Sequence, residues 1–264
     1  FHEMGVNFIS TRTIGYDHID IEKAIQLNMH IGNVTYSPSS VADHTVMVIL
    51  MTIRKMKAIM QCASVQDYSL KGVQGRELHN LTVGVIGTGK IGQRVIKNLS
   101  GFGCKIIAYS SHEDEDVKKY AEYVSLEKLL KDSHIITLHI PARKNNYHII
   151  DKDSIDMMKE GVFIVNTARG SLINTEDLIE GIERGKIAGV ALDVIEQESD
   201  LYYNDLKCEI LNNRQLAILK SYPNVIITPH TAFYTDQSVS DMVENSILSC
   251  TLFMEGKENP WEVI

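Results

Sequence analysis

The sequence predicts an α/β protein built on doubly wound parallel sheets, and three observations carry that reading. Apolar runs rich in Val, Ile and Leu recur along the 264 residues, most of them followed by a segment with helical spacing. The runs are continuous rather than alternating, the mark of strands buried on both faces beneath helices. One of them leads directly into Gly87-Thr88-Gly89-Lys90-Ile91-Gly92, a G-x-G-x-x-G that opens a helical pattern.

Taken in order, strands are expected at residues 6–10, 29–33, 83–86, 105–109, 135–139, 162–166, 187–192 and 225–228. Helices are expected between most of them, for example at 91–99, 125–131 and 175–184. Ser37-Pro38 starts a long helix, with a capping hydroxyl followed by proline at the first helical position, where no N–H is needed. Its apolar run continues from Val41 to Met60, too long for a crossover, and predicts a bridge between two domains. Met47, Met51, Met56 and Met60 on it read as core or subunit packing. A second long helix spans 235–255, with Thr235 as cap and Gly256 as stop. The expected division is a smaller discontinuous domain, 1–36 with 233–264, and a dinucleotide-binding domain, 37–232. Phe1 is not an initiator, so the numbering is expected to start inside a longer protein.

The glycines have separate tasks. Gly87 allows a tight turn, Gly89 lets backbone approach a pyrophosphate, and Gly92 lets helix pack closely on strand. The helix N-terminus adds N–H groups and partial positive charge for the phosphates. Composition narrows the rest. A net charge of -8 with no basic stripe excludes nucleic acid and anionic membrane as main partners. No apolar run approaches the ~18 residues of a membrane span. Cys62, Cys104, Cys208 and Cys250 are scattered, as in a reduced cytoplasmic protein, and imply neither metal nor disulfide.

A nucleotide fold places its chemistry at the carboxyl ends of its strands. Three motifs sit there: Asn166-Thr167-Ala168-Arg169-Gly170; Asp193 with Glu196 and Glu198; and Thr228-Pro229-His230-Thr231-Ala232. Alone, Arg169 reads equally as a surface ion-pair partner, Glu198 as a solvated acid and His230 as a loop histidine. Together they can reduce a 2-oxo acid. Arginine presents a planar fork to a carboxylate, histidine exchanges a proton near neutral pH, and a neighbouring carboxylate stabilises and orients the imidazolium.

These segments resemble the D-2-hydroxyacid dehydrogenases, most closely the D-lactate dehydrogenase branch. The matching stretches are 84–92, 166–170, 191–198 and 223–234, with weaker similarity over nearly the whole chain. The resemblance implies a Rossmann-like cofactor domain and a smaller flavodoxin-like substrate domain, with the active site in the cleft. It implies Arg169, Glu198 and His230 as catalytic residues and NAD as cofactor, with Asp193 beside the nicotinamide. Lys90 and Ile91 match the pyrophosphate loop and Ile140 and Pro141 the adenine wall, while Asn146, Thr167 and Ala168 match further cofactor contacts. Ile14 and Gly15 match a backbone pair that binds the substrate carboxylate; Tyr36 reaches that carboxylate and Phe233 walls the side-chain pocket. A homodimer through the nucleotide domain and a small 2-oxo acid such as pyruvate complete the expectation. The alternatives are a D-2-hydroxyisocaproate or phenyllactate type of dehydrogenase with a larger pocket, and a non-catalytic NAD(H)-sensing module on the same fold.

Two departures stand out. NAD-using members end the second strand of the nucleotide fold with an acid, and here that position is Ser110. NADP use is therefore open, although residues 113–116 place four acids next to it. The family's first substrate-domain strands have no counterpart in these residues.

Overall fold

The computed structural model describes residues 1–264, except for the side chain of Asp200. Its first elements are β1 (Phe8–Ser10), α1 (Ile21–Gln26), β2 (His30–Gly32), α2 (Ser39–Ile53), α3 (Met56–Ser64), β3 (Thr82–Ile86), α4 (Lys90–Ser100) and β4 (Lys105–Tyr109). There follow α5 (Glu115–Lys118), β5 (Glu122–Tyr123), α6 (Leu126–Asp132), β6 (Ile135–Leu138), α7 (Lys152–Met157) and β7 (Val162–Asn166). The chain ends with α8 (Thr175–Glu183), β8 (Ile187–Leu192), α9 (Arg214–Ser221), β9 (Val225–Ile227) and α10 (Asp236–Met254).

Two compact units result, Val41–Ala232 and a smaller one made of Phe1–Ser40 with Phe233–Ile264. In the smaller unit β1 and β2 pair in parallel, with Ile9 opposite Ile31. Ala24, Met29 and Ile31 form its buried core, and Phe8 stacks on Phe253 of α10 with ring centroids 4.5 Å apart. Thr235 caps α10 by accepting the Ser238 N–H, and Gly256 stops it in the left-handed region, where a residue without Cβ carries no penalty.

The larger unit is a seven-stranded sheet in the order β5-β4-β3-β6-β7-β8-β9. Every pairing is parallel, so all carboxyl ends lie along one edge, and the order reverses between β3 and β6. Successive side chains alternate between two cores. Val83, Ile135, Phe163 and Ala191 face one core, with Val46, Ile49 and Ile53 of α2 and Val95, Ile96 and Leu99 of α4. Ile86, Ile136, Ile164 and Val190 face the other, with Leu129, Ile155, Leu178 and Leu219 of α6 to α9. Gly84 permits this close approach, since a Cβ there would lie 2.2 Å from Ser133 Oγ on the turn ending α6.

The long helix expected from Ser37 to Met60 is two helices. The Ile53 carbonyl accepts the Arg76 N–H at 3.0 Å, and a Cβ on Gly75 would lie 2.9 Å from the Arg54 Cα. A crossing segment therefore takes the acceptor that the next turn would need, and Lys55 turns into the left-handed region. The two-residue β5 was not expected from the sequence. His139 and Thr228, expected inside strands, stand just beyond the ends of β6 and β9.

Candidate active site

The glycine turn leaves β3 at the point where the sheet order reverses. Gly87 has φ +99°, and a Cβ there would lie 2.6 Å from the His139 carbonyl oxygen. At Gly92 a Cβ would lie 2.0 Å from the Gly87 carbonyl oxygen, so α4 can start this close to the turn only with glycine. At Gly89 a Cβ would meet nothing within 4 Å. Open space at the N-terminus of an eleven-residue helix is what a pyrophosphate requires, and the residues present fit a dinucleotide. Lys90, exposed, and Ile91, half-buried, open α4.

Thr88, buried within the turn, is held from two sides. The Tyr123 hydroxyl donates to its Oγ1 at 2.9 Å, and Gln93 Nε2 donates to its carbonyl at 3.1 Å. Ile140 packs against Gly87, its Cγ2 2.6 Å from where a Cβ would stand. Asn146 closes the following loop, donating to the Pro141 carbonyl and accepting the Arg143 N–H. Thr45 Oγ1 donates to the Val41 carbonyl, so the Thr167 hydroxyl, 2.9 Å away, is the donor of their bond. Ala168, half-buried, gives its N–H to Asn166 Oδ1 at 3.0 Å.

His139 carries a stability consequence. The residue keeps some exposure, but its ring Nδ1 is buried with no hydrogen-bond partner among the described residues. Burial drives its pKa down to about 3. Between that value and ~6.5 the unfolded chain binds a proton that the folded chain refuses, so stability falls as pH drops below ~6.5 and levels off only near pH 3. The loss is up to about 1.4 kcal/mol per pH unit. Urea midpoints measured from pH 7 to about 4.5 should fall less steeply in His139→Gln than in the parent; equal slopes would contradict this account.

Beyond the ends of β8 and β9 two of the expected residues meet. His230 Nδ1 donates to Glu198 Oε1 at 2.6 Å, and Glu198 Oε2 accepts the Ile195 N–H at 3.0 Å. One carboxylate thus orients the imidazole while its second oxygen is fixed by backbone. His230 has φ +51°, a conformation histidine tolerates better than most residues. Its N–H bonds the Asp193 carbonyl at 2.8 Å, and its own carbonyl accepts the Tyr203 hydroxyl at 2.8 Å.

Arg169 follows β7 in a turn that Asn166 shapes, Nδ2 donating to the Arg169 carbonyl at 2.8 Å. Arg169 Nη1 donates to the Ala168 carbonyl at 2.7 Å. The adjoining Gly170 packs against the loop bearing Glu198, where a Cβ would lie 2.1 Å from the Ile195 carbonyl.

Asp193 turns inward. Its side chain is 1 % exposed, and it accepts the Thr228 hydroxyl at 2.6 Å and the N–H groups of Thr231 and Ala232 at 2.9 and 3.0 Å. The sequence reading placed it beside the nicotinamide; its carboxylate is the peg around which residues 228–232 wind. Glu196 is likewise absorbed, accepting from His148 Nε2 at 2.7 Å and from the Thr175 hydroxyl at 2.7 Å. These bonds hold its pKa below the usual value against the opposing effect of burial. His148, Tyr203 and His44, unremarked in the sequence, carry no motif of their own.

In the smaller unit Thr13 Oγ1 donates to the Gly15 carbonyl at 2.6 Å and Asn33 Nδ2 to the Ile14 carbonyl at 2.9 Å, which fixes that turn. Tyr36 and Phe233 face each other with centroids 6.3 Å apart. Ser110, half-buried, lies just beyond β4, and Ser111 Oγ lies 3.1 Å from His112 Nδ1.

A dinucleotide turn on the same sheet edge as an imidazole–carboxylate pair and an arginine defines a nicotinamide-dependent reductase of carbonyl acids. The chain belongs to the D-isomer specific 2-hydroxyacid dehydrogenase family, whose NAD binding domain profile matches residues 46–232. It is 44 % identical to a D-specific alpha-keto acid dehydrogenase of Enterococcus faecium, over 97 % of this chain and 78 % of that one. Identity to an aromatic 2-oxoacid reductase of Clostridium sporogenes is 47 %, over 95 % and 76 %. Among solved structures, a D-lactate dehydrogenase from Aquifex aeolicus, complexed with NAD and lactic acid, superposes with a TM-score of 0.88 at 38 % identity, over 95 % and 77 %. The protein is an NAD-binding oxidoreductase that reduces 2-oxo acids to D-2-hydroxy acids. No helix among the described residues is long and apolar enough to cross a membrane.

Proposed function

We propose that Arg169, Glu198 and His230 carry this reaction, on pyruvate or a related 2-oxo acid, and the observation behind the assignment is the 2.6 Å His230–Glu198 bond. His230 Nδ1 bonds Glu198, and the Nε2–H of the imidazolium is assigned as the proton given to the carbonyl oxygen of the substrate. Glu198 stabilises the cationic ring before the transfer and orients it throughout. Arg169 holds the substrate carboxylate and polarises the adjacent carbonyl. The Gly87–Gly92 turn, Lys90, Ile91, Ile140 and Pro141 would hold the cofactor. A bound dihydronicotinamide is the source of hydride for the carbonyl carbon. Ile14, Gly15, Tyr36 and Phe233 are assigned to the substrate carboxylate and side chain.

NADPH is a second acceptable cofactor in this reading. Ser110 puts no charge at the ribose end of the site, and the neighbouring acids are engaged. Glu113 and Glu115 pair with Lys118, Asp116 pairs with Lys119, and Asp114 accepts Gln93 Nε2 at 3.0 Å. Steady-state kcat/KM should favour NADH over NADPH by less than ~1000-fold, or about 4 kcal/mol. A larger preference would overturn dual use.

We infer a homodimer that pairs through the larger unit, where a groove of about 570 Å³ is lined by Val46, Met47, Leu50, Met51 and Met56 among others. A cytoplasmic setting is supported by four free cysteines. The test of the whole reading is NADH oxidation with pyruvate, 2-oxoisocaproate and phenylpyruvate, whose kcat/KM ranking also separates a small pocket from a large one. No oxidation with any of them would leave the nucleotide-sensing alternative.

A further inference from the structure

Asp193 is a buried carboxylate that holds residues 228–232, and one side chain from the distant helix α2 completes its surroundings. His44 Nε2 lies 3.2 Å from Thr228 Oγ1 and 3.7 Å from Asp193 Oδ1. The second distance is too long for a hydrogen bond. The first has one possible direction. The Thr228 hydroxyl has a single proton, and at 2.6 Å from Asp193 Oδ1 that proton goes to the carboxylate. Thr228 can therefore only accept from His44, and Nε2 must carry hydrogen.

The result is a directed chain, His44 Nε2–H to Thr228 Oγ–H to Asp193. Burial lowers the His44 pKa and Asp193 opposes that shift, but neither protonation state removes Nε2–H from the chain. Asp193 in turn fixes the loop on both sides of His230, through the N–H groups of Thr231 and Ala232 and through its own carbonyl to the His230 N–H.

We propose that His44 is a positioning residue for the proton donor: its Nε2–H, relayed by Thr228, holds Asp193 and so sets the loop that aims His230. The inference rests on the assignment of His230 as proton donor and adds to it a residue outside the three catalytic motifs. His44 touches no reacting atom, so its effect should appear in turnover and not in cofactor affinity.

The experiment compares His44→Leu, which removes the donor, with His44→Gln, whose side-chain amide can present an N–H in place of Nε2. With NADH and pyruvate, the Leu variant should lose about tenfold in kcat, the scale of one hydrogen bond, with KM for NADH within about twofold of the parent. The Gln variant should recover most of that loss. Thr228→Val cuts the relay at its middle and should lose a similar amount. The double variant His44→Leu/Thr228→Val should be no worse than either single one, because both remove the same chain. Equal losses for Leu and Gln, unchanged kcat in the Leu variant, or additive losses in the double variant would overturn the proposal. Should His44→Leu not fold, Thr228→Val decides alone: full kcat there overturns the proposal. If instead the parent does not reduce pyruvate or its analogues, the catalytic assignment fails first, and that failure is separate.

Discussion

Replacing His230 with Gln should lower kcat for 2-oxo acid reduction by about 10³-fold, within the range that positioned proton transfer contributes, and leave NADH binding unchanged. Gln presents an amide to Glu198 and preserves much of the volume, but an amide N–H is too weak an acid to protonate the developing alkoxide. The cofactor's turn is built from other residues, Gly87 to Gly92 at the end of β3, so NADH fluorescence titration should give the parent dissociation constant. Because His230 has φ +51°, His230→Asn is the natural second variant, since asparagine also tolerates the left-handed region. Both should keep the melting temperature within a few degrees of the parent. Turnover above a tenth of the parent rate in either would mean that another group donates the proton.

How much of this could be read without coordinates depends on whether a feature is local. Apart from the two-residue β5, the strands of the larger sheet announce themselves because each is a short apolar run, and β4, β7 and β8 have the expected bounds. The proposed Arg169, Glu198 and His230 could be singled out because each follows such a run within six residues. The glycine turn was legible for the same reason. Contacts between remote segments left no such trace. His44 and Thr228 are 184 residues apart in sequence, and His148 and Glu196 are 48 apart; neither pair shares a motif. Asp193 shows the limit most sharply. Its position after β8 marked it as a site residue, but sequence could not tell whether its carboxylate turned outward to a ligand or inward to backbone N–H groups. The break at Lys55 was hidden in the same way, since the Arg76 N–H that ends α2 at Ile53 comes from more than twenty residues away.

Arg169→Lys should be the other severe loss, about 10²- to 10³-fold in kcat/KM for the 2-oxo acid. Guanidinium offers five N–H donors in one plane, of which the Nη1 bond to the Ala168 carbonyl helps to set the direction of the fork. A paired bond to a carboxylate uses two of them in parallel, and each charge-assisted bond is worth roughly 1.5–3 kcal/mol. Lysine keeps the charge and loses the geometry. Its ammonium can meet the substrate carboxylate or the carbonyl oxygen, but it cannot hold both in one plane, so KM should rise and kcat fall together. The turn itself should survive, because Asn166 bonds the Arg169 carbonyl and the Ala168 N–H rather than the side chain. The useful control is oxalate or another small dicarboxylate as a competitive inhibitor. Its inhibition constant should rise in step with KM if the fork binds carboxylate. If the Lys variant raised KM for pyruvate but bound oxalate as tightly as the parent, Arg169 would be acting on the carbonyl alone.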